Sequence, residues 1–136
     1  MKSWVTILFF LFQILHSCIT NKGKTYEITK DYLLGCETGR ANCPPIDIRR
    51  QSQSENITLY FLIRANRTII NLYDSTYPIY IARHFNEDSI RSIREGFVNI
   101  EGKPSLNLTG LADGKYYIHI LGDDVGGLFQ VSIKTP

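Results

Sequence analysis

From about residue 24 onward, apolar and polar side chains alternate in short runs with a period of two. That is the repeat of a strand with one face buried. The runs 26–29, 58–63, 68–73, 77–82, 97–100, 105–108, 115–121 and 128–133 carry it, and most are rich in β-branched and aromatic residues. Ala65-Asn66-Arg67 between the second and third runs suits a turn, so these two are expected to form a hairpin. Pro78 confines the fourth to a sheet edge or to a start beyond the proline. Residues 49–56 are wholly polar and read as a solvated loop. Asn86-Glu87-Asp88-Ser89 offers helix-capping residues ahead of Ile90 and Ile93, but Gly96 limits that segment to a loop or one short helix. Gly102-Lys103-Pro104, Ala112-Asp113-Gly114 and the Gly-rich run 122–127 separate the last strands.

Seven or eight closely spaced strands without a convincing amphipathic helix predict an all-β fold, a single β-sandwich over residues 25–136. Within it, Leu108-Thr109-Gly110-Leu111-Ala112-Asp113-Gly114-Lys115-Tyr116-Tyr117-Ile118-His119-Ile120 resembles the Leu-x-x-Gly-x-Tyr-x-Ile/Val turn and strand of immunoglobulin-like, fibronectin-III-like and transthyretin-like domains of envelope proteins. The resemblance implies a glycine turn feeding an aromatic strand back into the core. It implies nothing about activity, because that motif serves many unrelated functions.

The first residues follow a different pattern. Lys2 precedes an apolar run of about 12 residues, 4–15, interrupted by Gln13. This is the grammar of a signal peptide, and it falls short of the roughly 20 residues a membrane-spanning helix needs. Leu15-His16-Ser17-Cys18 resembles a bacterial lipobox, with His16 where that pattern carries a small or β-branched residue. The resemblance implies a signal peptide over 1–17, a lipid-modified Cys18 and a tether over 18–24; several acyl chains together anchor firmly where one is marginal. Free secretion after a cut behind Ser17 or Thr20 is the other outcome of the same signal. Signal, lipobox-like cysteine and one small β domain together resemble the small exported lipoproteins of Bacteroidota-like bacteria.

The remaining cysteines, Cys36 and Cys43, have six residues between them in an expected oxidising compartment, and they read as one disulfide. Composition adds limits. Of 136 residues, 43% are hydrophobic, enough for one core. Fifteen basic against thirteen acidic residues leave no long basic stripe, so nucleic acid is not an expected partner.

Candidate chemistry is sparse. His84 and His119 lack any recognisable nucleophile and orienting carboxylate, and alternation makes His119 an outward polar position on a strand. No catalytic residue and no cofactor is expected. Asp123 and Asp124, set among glycines, are the best metal candidates, yet calcium takes six to eight oxygens and a hairpin turn explains the pair more simply. Tyr60, Tyr73, Tyr77, Tyr80, Tyr116 and Tyr117 could form a sugar-stacking platform if several share one exposed face. Asn-x-Thr sequons at Asn56, Asn66 and Asn107 would matter only in a eukaryotic secretory route.

These readings favour a non-enzymatic module of the cell envelope, lipid-tethered to a membrane and binding a protein or glycan. The alternative is a small secreted inhibitor or immunity-type protein that uses the Cys36 to Cys43 loop as a wedge.

Overall fold

A computed structural model describes residues 23–37, 43–64, 68–78, 91–99, 101–122 and 125–136. The first strand, β1 (Lys24–Thr29), leads directly into a helix, α1 (Lys30–Glu37), and then into β2 (Ile46–Arg49). Next come β3 (Ile57–Leu62), β4 (Ile69–Asp74) and two two-residue strands, β5 (Arg94–Glu95) and β6 (Phe97–Val98). The chain finishes with β7 (Pro104–Asn107), β8 (Gly114–Leu121) and β9 (Gly126–Lys134). A four-stranded sheet has the order β1-β3-β7-β6 and a five-stranded sheet the order β2-β9-β8-β4-β5. The expected all-β sandwich is therefore present, and both sheets are mixed: β1 runs parallel to β3, and β2 parallel to β9.

The alternation decides what lies between the sheets. Ile57, Leu59 and Phe61 of β3 and Leu106 of β7 point inward from one sheet. Ile70 and Leu72 of β4, Ile118 and Ile120 of β8, and Phe129, Val131 and Ile133 of β9 point inward from the other. All belong to one buried cluster. Burying each of these side chains contributes roughly 1.5–3 kcal/mol, which is where the sandwich gets its stability.

Three expectations need correction. The runs 58–63 and 68–73 do not form a hairpin, because β3 lies between β1 and β7 while β4 lies between β8 and β5 in the opposite sheet. A period-two pattern specifies which face is buried but not which strand is the neighbour. Second, residues 30–37 are helical. Thr29 caps the helix, its hydroxyl accepting from the Tyr32 amide at 3.2 Å, Asp31 complements the first turn, and Leu33 and Cys36, three apart, share the buried face. Third, Tyr77 and Pro78 lie in a helical turn, so no strand runs through the proline; the alternative of a start beyond Pro78, like the capping segment 86–89, falls outside the described residues.

The resembling segment 108–120 behaves as expected. Gly110 and Gly114 take positive φ angles of 84° and 152°, which suit glycine, and β8 then re-enters the core at Ile118.

Candidate functional site

Cys36 and Cys43 are joined in a disulfide. Cys36 sits in the core against β9, where a Cβ added to Gly127 would stand 3.2 Å from its own Cβ. The bridge pins α1 to the sandwich, helped by the Tyr32 hydroxyl donating to the Pro44 carbonyl at 2.6 Å. Residues 38–42 of the loop, Cys18 and the whole leader, His84, Tyr80, Asn66, Asp123 and Asp124 lie outside the described residues. Around the last pair, the Gly122 amide donates to the Val125 carbonyl at 2.8 Å, and Leu121 pairs with Gly126 across the hairpin. Among the described residues no group of three His, Cys, Asp or Glu side chains converges as a metal site would require.

The predicted aromatics separate onto different surfaces. On the outer face of the five-stranded sheet, Tyr73 of β4 stacks on Tyr77 with ring centroids 3.7 Å apart, and His119 of β8 stands 6.4 Å from Tyr77. Tyr77 is buried there. His119 does face away from Ile118 and Ile120, but it is half covered, and burial lowers its pKa. In this cluster Tyr77 is covered by its stacked neighbour, and Tyr73 is partly exposed.

The outer face of the four-stranded sheet differs. Strand register places Glu27, Tyr60, Ser105 and Phe97 in one cross-strand row, since Glu27 pairs with Tyr60, Tyr60 with Ser105, and Ser105 with Phe97. Directly paired residues project to the same side, and here that side is outward, because Leu59, Phe61, Pro104 and Leu106 point in. Phe97 is 75% exposed, and Tyr60 is half-buried. Two strand spacings separate the rings, roughly 10 Å, and the small Ser105 lies between them. Leu62, also exposed, extends the apolar surface, and Thr25, Thr58 and Asn107 form a parallel polar row. The result is an open face with two aromatic positions, a slot between them, and hydroxyl and amide groups alongside.

Asn56 and Asn107, the two described sequon asparagines, meet beside this face. The Asn107 side-chain amide donates to Asn56 Oδ1 at 3.1 Å, and the Thr109 hydroxyl donates to the same oxygen at 2.9 Å. Arg94 of β5 reaches across from the other sheet and donates to the carbonyls of Asn107 and Thr109 at 3.0 and 2.7 Å.

Sequence reasoning included Tyr60 among the tyrosines but not Phe97 as its companion. The pairing was hidden because β6 has two residues and its register depends on β7, where Phe97 finds Ser105. A signal was present in that Phe97 follows Gly96 and opens an apolar run between polar neighbours. Arg50 was missed as well: it falls within the 49–56 segment read as a solvated loop, yet it is almost fully buried. Its Nη2 donates to Asp113 at 2.9 Å and its Nε to the Thr135 hydroxyl at 3.0 Å. Asp113 also accepts from the Thr135 amide and hydroxyl, at 2.9 and 2.7 Å, and these bonds, with a smaller contribution from Arg50, lower its pKa.

No protein-family model matches the chain, and no curated protein matches it.

Proposed function

We propose that the protein is a non-enzymatic, envelope-tethered lipoprotein, held through Cys18, that binds an extended glycan across the outer face of its four-stranded sheet. The Tyr60–Ser105–Phe97 row carries this reading. A sugar ring offers C–H groups to an aromatic face and hydroxyls to neighbouring polar side chains, and this surface supplies both. Phe97 and Leu62 are both exposed on the face that carries Tyr60, and an apolar surface of this kind with polar groups alongside supports a ligand. The lipobox-like Leu15 to Cys18 segment supports the tether.

Sedimentation with insoluble envelope polysaccharide, and a glycan array, test the face. The Tyr60→Ala/Phe97→Ala double variant is expected to lose at least tenfold in retention while Phe97→Ala alone leaves the urea midpoint nearly unchanged. Equal retention of wild type and double variant removes the glycan reading. For the tether, a fatty-acid analogue should label the wild-type protein and not Cys18→Ala. A processed, soluble and unlabelled wild type replaces lipid attachment with free secretion and leaves the glycan face standing.

A further inference from the structure

At the end of the sandwich where β1 begins and β2 and β9 finish, four basic residues surround one cavity. Lys24, Arg49, Arg50 and Lys134 line it together with Gln51 and Thr135, around a volume of about 330 Å³. They come from three elements that are distant in sequence, brought together by the parallel pairing of β2 with β9, in which Arg49 is opposite Lys134, and by the Arg50 amide donating to the Lys134 carbonyl at 3.0 Å. Pro136 completes the lining, and the side-chain carboxylates of Asp47, Asp113 and Glu55 are each engaged. Asp47 pairs with Arg49 at 3.3 Å, Asp113 holds Arg50 Nη2, and Glu55 accepts from the Gln51 amide at 2.6 Å. Lys24 gives one hydrogen bond to the Arg49 carbonyl, which leaves its ammonium further donors.

The decisive atom is Arg50 Nη1. It is buried and has no hydrogen-bond partner, whereas the other two guanidinium nitrogens each donate one bond that holds the side chain. A charged donor left without an acceptor in the interior is destabilising, and natural proteins rarely keep one without a use. A fixed guanidinium with one spare nitrogen, close to two flexible ammonium groups, suits a phosphate: that nitrogen donates to one oxygen and the lysines neutralise the remaining charge.

We propose that this cavity is a phosphate site, with Arg50 Nη1 as its buried donor and Lys24, Arg49 and Lys134 as its movable rim. A phosphate oxygen reaches Nη1 when a rim side chain swings aside. The phosphate comes either from solution or from a lipid headgroup, and the site is independent of the glycan face, since the two share no residue.

The test uses the full chain in a non-ionic detergent, titrated with inorganic phosphate and followed by amide NMR shifts and by calorimetry, with chloride at matched ionic strength as the control. Saturable binding that shifts the Lys24, Gln51 and Thr135 amides is expected, weakened at least tenfold in Lys24→Gln/Lys134→Gln. Those substitutions lie on the rim and outside the core, so the variant should keep the wild-type unfolding midpoint. Absence of saturation, an equal response to chloride, or undiminished affinity in the double variant overturns the site. Phosphatidylglycerol added to the same micelles identifies the source: displacement of phosphate assigns the site to a lipid headgroup, and lack of displacement assigns it to soluble phosphate.

Discussion

Gly96 lies so close to Ser105 that a Cβ built on it would stand 2.6 Å from the Ser105 carbonyl oxygen, and 2.8 Å from the Cβ of Ile70 on the other side. Its amide donates to the Ile70 carbonyl at 2.9 Å. Gly96 is thus the point at which the chain steps from β5 in one sheet to β6 in the other, and it determines where Phe97 is aimed. Gly96→Ala is expected to destabilise the fold by about 1–3 kcal/mol through overpacking against backbone that cannot retreat. It should also weaken polysaccharide retention beyond what its lower urea midpoint explains. A midpoint equal to wild type would show that the two sheets can part at this seam.

Acid should loosen the Asp113 staple. The Thr135 hydroxyl and amide, and then Arg50, hold the Asp113 carboxyl below its usual range. A lowered carboxyl pKa contributes stability that is fully present above the unfolded value, near 3.8, and that is lost as pH falls through the folded value. Urea midpoints measured from pH 5 down to pH 2 should therefore fall less steeply in Asp113→Asn than in wild type. Parallel curves would remove the staple from the acid response.

Alkali should act elsewhere on the same five-stranded sheet, at β4. Burial first, then the charge and hydrogen bond of Tyr73, push the Tyr77 hydroxyl from 10.0 up to about 12. The raised value means that the folded state keeps a proton the unfolded chain has lost, so stability is complete below pH 10 and declines between pH 10 and 12. Tyr77→Phe should flatten the unfolding midpoint across that window. Tyr32, raised in the same direction by burial, should supply the slope that remains.

Removing the bridge tests the role of the cysteine loop. The Cys36→Ala/Cys43→Ala pair should lower stability by about 2–3 kcal/mol on the loop-entropy account, with some addition for the core position of Cys36. Polysaccharide retention should survive in the folded fraction, because the bridge lies at α1 and away from the Tyr60 row. In Cys18→Ala, thiol titration of the denatured, unreduced protein should find no free thiol.

The sheets were legible where each strand carries its own alternation. β3, β4, β8 and β9 lie close to the expected runs because Ile57, Leu59 and Phe61, or Phe129, Val131 and Ile133, declare an inward face without reference to any partner. Partnership was not legible. The false hairpin followed from short sequence distance, whereas β3 takes β1 and β7 as neighbours through residues far along the chain. β2 escaped notice because its run, Ile46–Arg49, has only four residues and follows two prolines. α1 was missed because Gly35 and a modest apolar face mask a helix whose cap, Thr29, is the last residue of a strand. At the candidate face, tyrosine content pointed to ring chemistry, but only strand register could place Tyr60 two strands from Phe97.

The parallel pairing of β2 with β9 also sets the order in which the molecule can be completed. Ile46 finds its partner in Val131, and Arg50 finds Thr135 85 positions away, so the edge of the five-stranded sheet stays unfinished until the last described residues have emerged. Contacts of such sequence separation close late and slowly. A chain handed over to a translocation machinery while still being made would accordingly reach it with its second strand unpaired and Arg50 uncovered, in the threadable state that passage through a narrow pore requires.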